Sequence, residues 1–275
     1  MEKDKIVSMI DEVRKHVPLV HCITNYVTVN DCANAVLAVG ASPIMADDIL
    51  EAADITSISN ALVINIGTLN KRTVESMIAS GKRANELGIP VIFDPVGAGA
   101  SNFRNETTKR ILIEVKVDIV RGNLSEMSFV AGLQVSTKGV DSSEEDAGND
   151  AEEVAKRVAK IYNCVAAITG EKDVISDGSR FVILSNGVGL LSKVTGTGCM
   201  TSALVGAFAG AAIKSDGYDY FHAACAGIAG MGIAGELAYG QSAERGTGSF
   251  HISIIDNLSK MDKNMFANKL KLKEK

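Results

Sequence analysis

The sequence predicts an α/β fold in which helices cover a mostly parallel central sheet. Short β-branched and aliphatic runs alternate with helical patterns along the chain, and this alternation is typical of βαβ units. The chain has 275 residues, 46% of them hydrophobic, so it can bury a sizeable core. It shows neither an internal repeat nor a long Pro- or Ser-rich linker. We therefore expect a single domain over residues 1–275.

Apolar runs bounded by turn residues predict the strands. The first is the mostly apolar run ALVINI, which indicates a buried strand. The last three form a short meander, with a turn at Asp177 and Gly178 between the first two of them. The predicted strands are residues 61–66, 90–94, 117–121, 165–169, 174–177, 180–184 and 188–192.

Helices are predicted from periodic apolar positions and from long small-residue stretches. Gly88 ends the first predicted helix at the position after its last turn. In the second, Val154, Val158 and Ile161 recur at helical spacing, which indicates an amphipathic helix. The predicted helices are residues 75–87, 151–162, 198–213 and 220–237.

One uncharged stretch, residues 194–213, is 20 residues long and could span a bilayer by length alone. It contains four Gly and three Thr, and Lys193 and Lys214 flank it. A second small-residue stretch follows at residues 220–235. We expect two buried helices of a globular domain rather than a pair of membrane spans.

Composition and charge exclude several classes of protein. The net charge of −5 and 22% charged residues are ordinary for a globular chain and exclude a disordered one. Without a Lys/Arg block, we expect neither nucleic acid nor a membrane as partner. The charged N-terminus lacks the apolar core of a signal peptide. The polar segment 136–150 predicts a surface loop, and the Lys-rich tail 264–275 predicts a frayed end.

The five cysteines point to a reducing compartment. They are scattered and show no C-x-x-C spacing, so a disulfide framework or a zinc site is not expected. We therefore expect a cytoplasmic protein. The cysteines are Cys22, Cys32, Cys164, Cys199 and Cys225.

Candidate functional residues follow the predicted strands, because ligands of open parallel sheets bind beyond the carboxyl ends of the strands. The sharpest motif is a glycine turn, Gly196-Thr197-Gly198-Cys199, that leads into a long predicted helix. Its backbone N–H groups and the helix end could bind phosphate. A glycine turn that only docks a helix against a strand remains the alternative.

Two carboxylates could hold a divalent cation. Asp94 follows one predicted strand, and Glu126 comes three residues after Asn123, beyond the next. Mg²⁺ usually takes one or two protein carboxylates together with waters and phosphate oxygens. The alternatives are a turn role for Asp94 before Pro95 and a capping box for Glu126. Arg121 lies inside an apolar run, where a buried cation needs a partner of opposite charge. We therefore expect it to contact a phosphate or to form a structural ion pair.

Cys199 is a candidate nucleophile or base, since a helix N-terminus lowers the pKa of a thiol. A small apolar filler role is the alternative. None of the four histidines is paired at ligand spacing, so we expect surface residues or satisfied core residues. The chain contains no Gly-x-x-x-x-Gly-Lys-Ser/Thr phosphate loop and no Rossmann fingerprint. If ATP is bound, it is bound in another way.

Taken together, six segments resemble the hydroxyethylthiazole kinases. They occur in the family's order between about residue 15 and residue 260, so the resemblance covers nearly the whole chain. The glycine turn and the first segment are together quite specific. The segments are PLVHCITNYVT at residues 18–28, GASPIMA at 40–46, DPVGAG at 94–99, RGNxxE at 121–126, GVDS at 139–142 and TGTGCM at 195–200.

The resemblance implies a ribokinase-like, three-layer α/β/α fold and phosphorylation of 4-methyl-5-(2-hydroxyethyl)thiazole with ATP and Mg²⁺ in thiamine salvage. It also implies a homotrimer with thiazole sites near the subunit boundaries. Arg121, Thr169 and Asn123 would bind ATP, and Asp94 and Glu126 would hold Mg²⁺ directly or through water.

On the substrate side, the resemblance implies a thiazole site at Met45 and Gly196, with Asn25 and Val27 near it. Gly196 and Gly198 would act with Cys199, which stands where most ribokinase-like enzymes carry a general-base Asp. A neutral, partly apolar substrate favours an apolar pocket with few polar contacts.

Two other functions compete with this interpretation. Repair dehydratases for hydrated NADH or NADPH share the ribokinase-like fold and use ATP or ADP, but an Asp is expected at the position of Cys199. A regulator that binds a nucleotide or a thiamine precursor without turnover is the second alternative. Intact Asp94, Glu126 and Cys199 count against loss of activity.

Overall fold

The computed structural model describes residues 2–133 and 150–274. Its strands are β1 (Leu19–Ile23), β2 (Ser42–Ile44), β3 (Ala61–Asn65), β4 (Val91–Asp94), β5 (Ile119–Gly122), β6 (Val165–Ile168), β7 (Asp173–Ser176), β8 (Phe181–Leu184) and β9 (Leu272–Glu274). These described strands form one sheet in the order β2-β1-β3-β4-β5-β6-β7-β8-β9. From β2 to β6 the neighbours are parallel, and β7, β8 and β9 are added antiparallel.

Helices cover both faces of this sheet and complete three α/β/α layers. Helices α1, α2, α8, α9 and α10 contribute to the core on one face, and α3 to α7 border the core on the other. Their bounds are α1 (Glu2–His16), α2 (Val29–Val39), α3 (Ala52–Ser57), α4 (Lys71–Leu87), α5 (Asn102–Glu114), α6 (Leu124–Val130), α7 (Ala151–Tyr162), α8 (Thr197–Ala212), α9 (Tyr220–Ser242), α10 (Thr247–Lys260) and α11 (Lys263–Lys269), with short 3-10 helices at Gly189–Lys193 and Ala243–Arg245.

Six of the seven predicted strands are confirmed, with ends that differ by about two residues at most. Strands β3 and β4 are buried throughout, as expected for a parallel sheet covered on both faces. The predicted turn between β7 and β8 is also present, and Gly178 adopts a φ of +91° there. All four predicted helices are present, and Gly88 ends α4 in the left-handed conformation.

The predicted strand at residues 188–192 is wrong, because Gly189–Lys193 form a 3-10 helix. The apolar side chains of this segment pack against a helix instead of a neighbouring strand. A Cβ placed on Gly235 of α9 would lie 2.9 Å from a methyl carbon of Leu191, so the leucine occupies the space that this glycine leaves open.

The two small-residue stretches form the buried helices α8 and α9, as predicted. The described segment Tyr220–Arg245 is long and apolar enough to cross a membrane, but 89% of its apolar window is buried inside the protein. Close packing depends on glycine at their contact. A Cβ on Gly227 would lie 2.8 Å from the backbone nitrogen of Val205.

The prediction of a frayed tail is wrong. Residues 263–269 form α11, and Leu272–Glu274 pair with β8 as the last strand of the sheet. Phe266 is fully buried and anchors this segment in the core. The predicted surface loop at residues 136–150 lies outside the described residues, except for Asp150, whose side chain caps α7.

Candidate active site

The carboxyl ends of the parallel strands bring the predicted residues together at one edge of the sheet. Asp94 ends β4 and Arg121 lies in β5. Thr169 directly follows β6, and its hydroxyl accepts a hydrogen bond from Arg121 Nη2 at 2.5 Å. Arg121 Nη1 lies 3.7 Å from Asp94 Oδ2. Side chains that are distant in sequence therefore form one connected site.

The glycine turn places the first turn of α8 against this group. Gly196 has a φ of +92°, and a Cβ there would lie 2.8 Å from Thr28 Cγ2, so a larger residue would be strained and would clash. A Cβ on Gly198 would lie 3.0 Å from Arg121 Nη1. The first N–H groups of a helix have no intrahelical acceptor, so they are available next to the Arg121 guanidinium.

Cys199 lies in the same first turn and is the one partly exposed cysteine of the five, all of which the structure describes. Its Sγ accepts hydrogen bonds from Asn25 Nδ2 at 3.1 Å and from Asn65 Nδ2 at 3.3 Å. Burial raises the pKa of the Cys199 thiol, and the Asp94 carboxylate raises it further. The expectation of a lowered thiol pKa is therefore wrong, because burial is the largest influence on this thiol.

Asp94 is fully buried, and its two carboxylate oxygens have different surroundings. Oδ2 accepts hydrogen bonds from Asn65 Nδ2 at 2.9 Å and from the Ser202 hydroxyl at 2.7 Å. Oδ1 is buried and has no hydrogen-bond partner among the described residues. Burial raises the pKa of Asp94, while Arg121 opposes this rise. An uncompensated buried oxygen of this kind is suited to a cation.

Glu126 forms the capping box that the sequence left open as an alternative. Its Oε2 accepts from the Asn123 N–H at 2.8 Å, while Asn123 Oδ1 accepts from the Glu126 N–H at 2.9 Å. Its Oε1 accepts from the Gly97 N–H at 2.8 Å, so Glu126 also fixes the loop after β4. Burial, followed by the nearby Asp94 carboxylate, raises the pKa of Glu126 to about 7.

Arg104 is a partly buried cation of the site that the sequence did not indicate. Its guanidinium donates to the backbone carbonyls of Ile66, Val96 and Gly67, at 2.6, 2.5 and 2.7 Å. It therefore ties the loop after β3 to the loop after β4. Because its partners are carbonyl groups rather than carboxylates, no charge pattern in the sequence could have revealed this role.

A cavity of about 330 Å³ lies beside these residues. Met45 lines it, together with Tyr26, Asn65 and Thr68. Asp47, Asn70 and Arg72 also line it, so the lining is more polar than the sequence predicts. Val27 is 54% exposed and is not among the described residues of the lining.

His21 fits the prediction of a satisfied core residue. His21 is buried, with its ring nitrogens 2.9 Å from Thr56 Oγ1 and 2.7 Å from the Ala46 carbonyl oxygen. Asn65, in contrast, is a site residue that the sequence analysis missed, although it is a polar residue inside the apolar run of β3. A buried amide in such a run needs partners, and this was the signal available.

Comparison with known proteins identifies the family. The model of the hydroxyethylthiazole kinase family matches residues 10–264. A hydroxyethylthiazole kinase of Clostridium beijerinckii is 64% identical over 273 residues, which cover 98% of this chain and 97% of the relative. One of Ruminiclostridium cellulolyticum is also 64% identical, over 98% of this chain and 97% of its own length.

Solved structures agree in fold. A hydroxyethylthiazole kinase structure from Pyrococcus horikoshii OT3 matches with a TM-score of 0.87 and 38% identity over 98% of both chains. A ribokinase-like superfamily protein from Enterococcus faecalis shares the fold, with a TM-score of 0.65 and 7% identity over 92% of this chain and 95% of its own. The chain is thus a phosphotransferase with a ribokinase-like fold that belongs to the hydroxyethylthiazole kinase family.

Proposed function

We propose that this protein transfers the γ-phosphoryl group of ATP to the primary hydroxyl of 4-methyl-5-(2-hydroxyethyl)thiazole, a salvage reaction of thiamine biosynthesis. The observation that carries the proposal is the 64% identity to a hydroxyethylthiazole kinase over nearly the whole chain. The site supports it, because phosphoryl transfer depends on alignment and charge neutralisation rather than on covalent chemistry by the protein.

The phosphates of ATP would bind between β5, β6 and the first turn of α8. Arg121 supplies positive charge and Thr169 a hydroxyl, and the two are already hydrogen-bonded to each other. Asn123 would contribute from the adjoining loop. The N–H groups around Gly196 and Gly198, at the start of α8, would stabilise negative charge on the transferred phosphoryl group.

Mg²⁺ fits this site at Asp94, whose Oδ1 is buried without a described partner. Glu126 would hold the ion through water, since both of its oxygens already accept backbone N–H groups. Within residues 2–133 and 150–274, no three His, Cys, Asp or Glu side chains gather into a metal cage. One or two carboxylates with waters are the usual Mg²⁺ arrangement. When bound, the ion would neutralise charge on the phosphate oxygens.

Cys199 would accept the proton of the thiazole hydroxyl as the oxygen bonds to the γ-phosphorus and ADP leaves. In a loose transition state the proton leaves late. We therefore expect Cys199 to tune the rate without being indispensable. If Cys199→Ala loses all activity while it keeps its fold and its ATP affinity, this role is wrong.

The cavity of about 330 Å³ is the proposed thiazole site, and its volume is within the range of small-molecule pockets. Met45 would pack on the ring. Gly196 and Asn25 are not among the described lining residues, and they would contact the substrate where it extends from the cavity toward Cys199. Val27, which is 54% exposed, would contribute from the rim. We further propose a homotrimer, a single domain over residues 1–275, a cytoplasmic location, and no nucleic-acid or membrane partner.

A coupled ADP-release assay tests the proposed function. Purified protein, ATP and Mg²⁺ are incubated with hydroxyethylthiazole, with hydroxymethylpyrimidine or with ribose. We expect ADP release that depends on the thiazole and stops with EDTA. Absence of thiazole-dependent release, with ATP still bound, would contradict the proposal, and NADH hydrate would then be the next substrate to test.

A further inference from the structure

Asn65, at the carboxyl end of β3, lies at the centre of the site and is 1% exposed. Its Nδ2 donates to Asp94 Oδ2 at 2.9 Å and to Cys199 Sγ at 3.3 Å. Its Oδ1 accepts from the Gly67 N–H at 2.9 Å and from Asn25 Nδ2 at 3.1 Å. A side-chain amide has two N–H donors and two lone pairs on oxygen, so Asn65 uses its full capacity.

The chemistry of the partners fixes which way this amide faces. A backbone N–H can only donate, so the side of Asn65 that faces Gly67 must be the oxygen. Exchanging nitrogen and oxygen would also place the amide oxygen against the Asp94 carboxylate. The Asn65 N–H groups therefore point to Asp94 and Cys199.

Asn25 is oriented in the same way by a different backbone group. Its Oδ1 accepts from the Thr28 N–H at 3.2 Å and from the Thr28 hydroxyl at 3.1 Å. Its Nδ2 is left to donate to Asn65 Oδ1 and, at 3.1 Å, to Cys199 Sγ. Two amides of fixed orientation thus direct N–H groups at one sulfur atom.

We propose that Asn65 and Asn25 are positioning residues that hold the Cys199 sulfur as a hydrogen-bond acceptor, ready to take the proton of the substrate hydroxyl. This proposal rests on the proposed function. In the step, Cys199 reacts in its thiolate form, which is the less populated form because burial raises the pKa of the thiol. The substrate O–H bond breaks and an S–H bond forms on that thiolate. At the same time the hydroxyl oxygen bonds to the γ-phosphorus, and the bond from phosphorus to the ADP oxygen breaks. Negative charge on the sulfur is stabilised by the two N–H donors.

The reactivity of Cys199 toward a small disulfide tests this arrangement without requiring kinase activity. The rate of exchange with 4,4′-dithiodipyridine is measured at one fixed pH, and the modified peptide is identified by mass spectrometry. The other four cysteines are buried, so Cys199 should react first. Asn65→Asp cannot replace both lost N–H bonds, because a carboxyl group carries one proton at most. We expect exchange to be about four- to fifteenfold slower, from the loss of one charge-assisted hydrogen bond.

Asn25→Asp removes the second donor without touching Asp94, and we expect a decrease of the same size. It keeps the test decisive if Asn65→Asp does not fold. Asn257→Asp is the matched control. Asn257 is 3% exposed and donates to Gln241 and Ser253, and it shares no hydrogen bond with the site in the part of the chain that the structure describes. Its variant should react at the wild-type rate.

The phosphoryl-transfer rate distinguishes positioning of the thiol by Asn25 from a purely structural role of this residue. We expect Asn25→Asp to lower kcat roughly tenfold in the wild-type background, with the KM for ATP within about twofold. In a Cys199→Ala background the same change should alter kcat less than about twofold.

Two results would overturn the proposal: exchange rates within about twofold of wild type in both variants, or an equal loss of kcat with and without the thiol. If the wild-type protein shows no kinase activity, the proposed function fails. The exchange rates would still decide whether the amides control the sulfur.

Discussion

Replacing Gly198 by alanine separates the stability of the fold from the position of Arg121. A Cβ at this position would lie 3.0 Å from Arg121 Nη1 and 3.4 Å from Nη2, so the guanidinium has to shift. That guanidinium donates to Thr169 at 2.5 Å and lies 3.7 Å from Asp94. The substitution therefore moves the group that we assign to the ATP phosphates.

The two expected effects have opposite signs. Alanine is favoured over glycine inside a helix by about 0.5–1 kcal/mol, and the contacted atoms are the far end of a flexible side chain. Folding should therefore not weaken. Loss of a charge-assisted hydrogen bond from Arg121 to phosphate costs about 1.5–3 kcal/mol, which corresponds to roughly a 10- to 150-fold higher KM for ATP.

The KM for ATP is measured at saturating thiazole, and stability is measured by thermal unfolding. Gly248 supplies the matched control, because Gly246-Thr247-Gly248 begins α10 as Gly196-Thr197-Gly198 begins α8. Apart from its chain neighbours and the backbone of its own helix, no described atom lies within 4 Å of a Cβ at Gly248, so Gly248→Ala should leave the KM for ATP unchanged. A Gly198→Ala variant that folds and keeps its KM for ATP within about twofold would refute the reasoning.

Three further variants test the metal, the pH dependence and the pocket. Asp94→Asn should lower kcat at least about a hundredfold, because the proposed metal ligand is lost. It should not lower the Tm at pH 8, because a buried charge is removed. Steady-state kinetics and thermal unfolding measure the two effects, and a near-normal kcat would exclude the metal role. Burial raises the pKa of Asp173 to about 7, so the folded protein keeps a proton that the unfolded chain releases near pH 4, and stability falls as the pH rises between these values. Asp173→Asn keeps an oxygen for the Gly170 N–H, so it should raise the Tm at pH 8 but not near pH 4. If the variant and the wild type have the same Tm at every pH between these values, this prediction is wrong. Met45→Ala should raise the KM for thiazole about tenfold and leave the KM for ATP unchanged. Steady-state kinetics with each substrate varied in turn measure both constants. A change in the KM for ATP instead would show that the pocket is wrongly assigned.

Elements with a strong local signal could be predicted from the sequence. The mostly apolar run of β3 and the Asp177-Gly178 turn between β7 and β8 are examples, because burial selects apolar residues and a positive φ selects glycine. Strand β1 was missed. It contains His21, whose burial depends on Thr56 and on the Ala46 carbonyl, and no local pattern reports such distant partners.

The wrong predictions concern segments whose structure depends on contacts with distant elements. The tail was predicted to fray because it is rich in lysine, but Phe266 is fully buried in the main core and holds α11 in place. The segment 188–192 has the short aliphatic character of a strand, but Leu191 packs against Gly235 of α9. In both cases a contact with a distant element overrides the local pattern.

At the site, the strand-exit rule found Asp94, Arg121 and Cys199, and these side chains do meet at one edge of the sheet. It did not find Asn65, which was counted as part of the buried run of β3. The pKa of Cys199 was expected to fall because the helix end is visible in the sequence. Burial, which dominates, depends on the whole fold.

The most direct test of the central claim is ³¹P NMR of a reaction that contains the protein, ATP, Mg²⁺ and hydroxyethylthiazole. We expect one new phosphomonoester resonance, coupled to the methylene protons of the hydroxyethyl group, that grows in equal amount with ADP. Formation of ADP with only inorganic phosphate, or no reaction of the thiazole while the protein binds ATP, would contradict it.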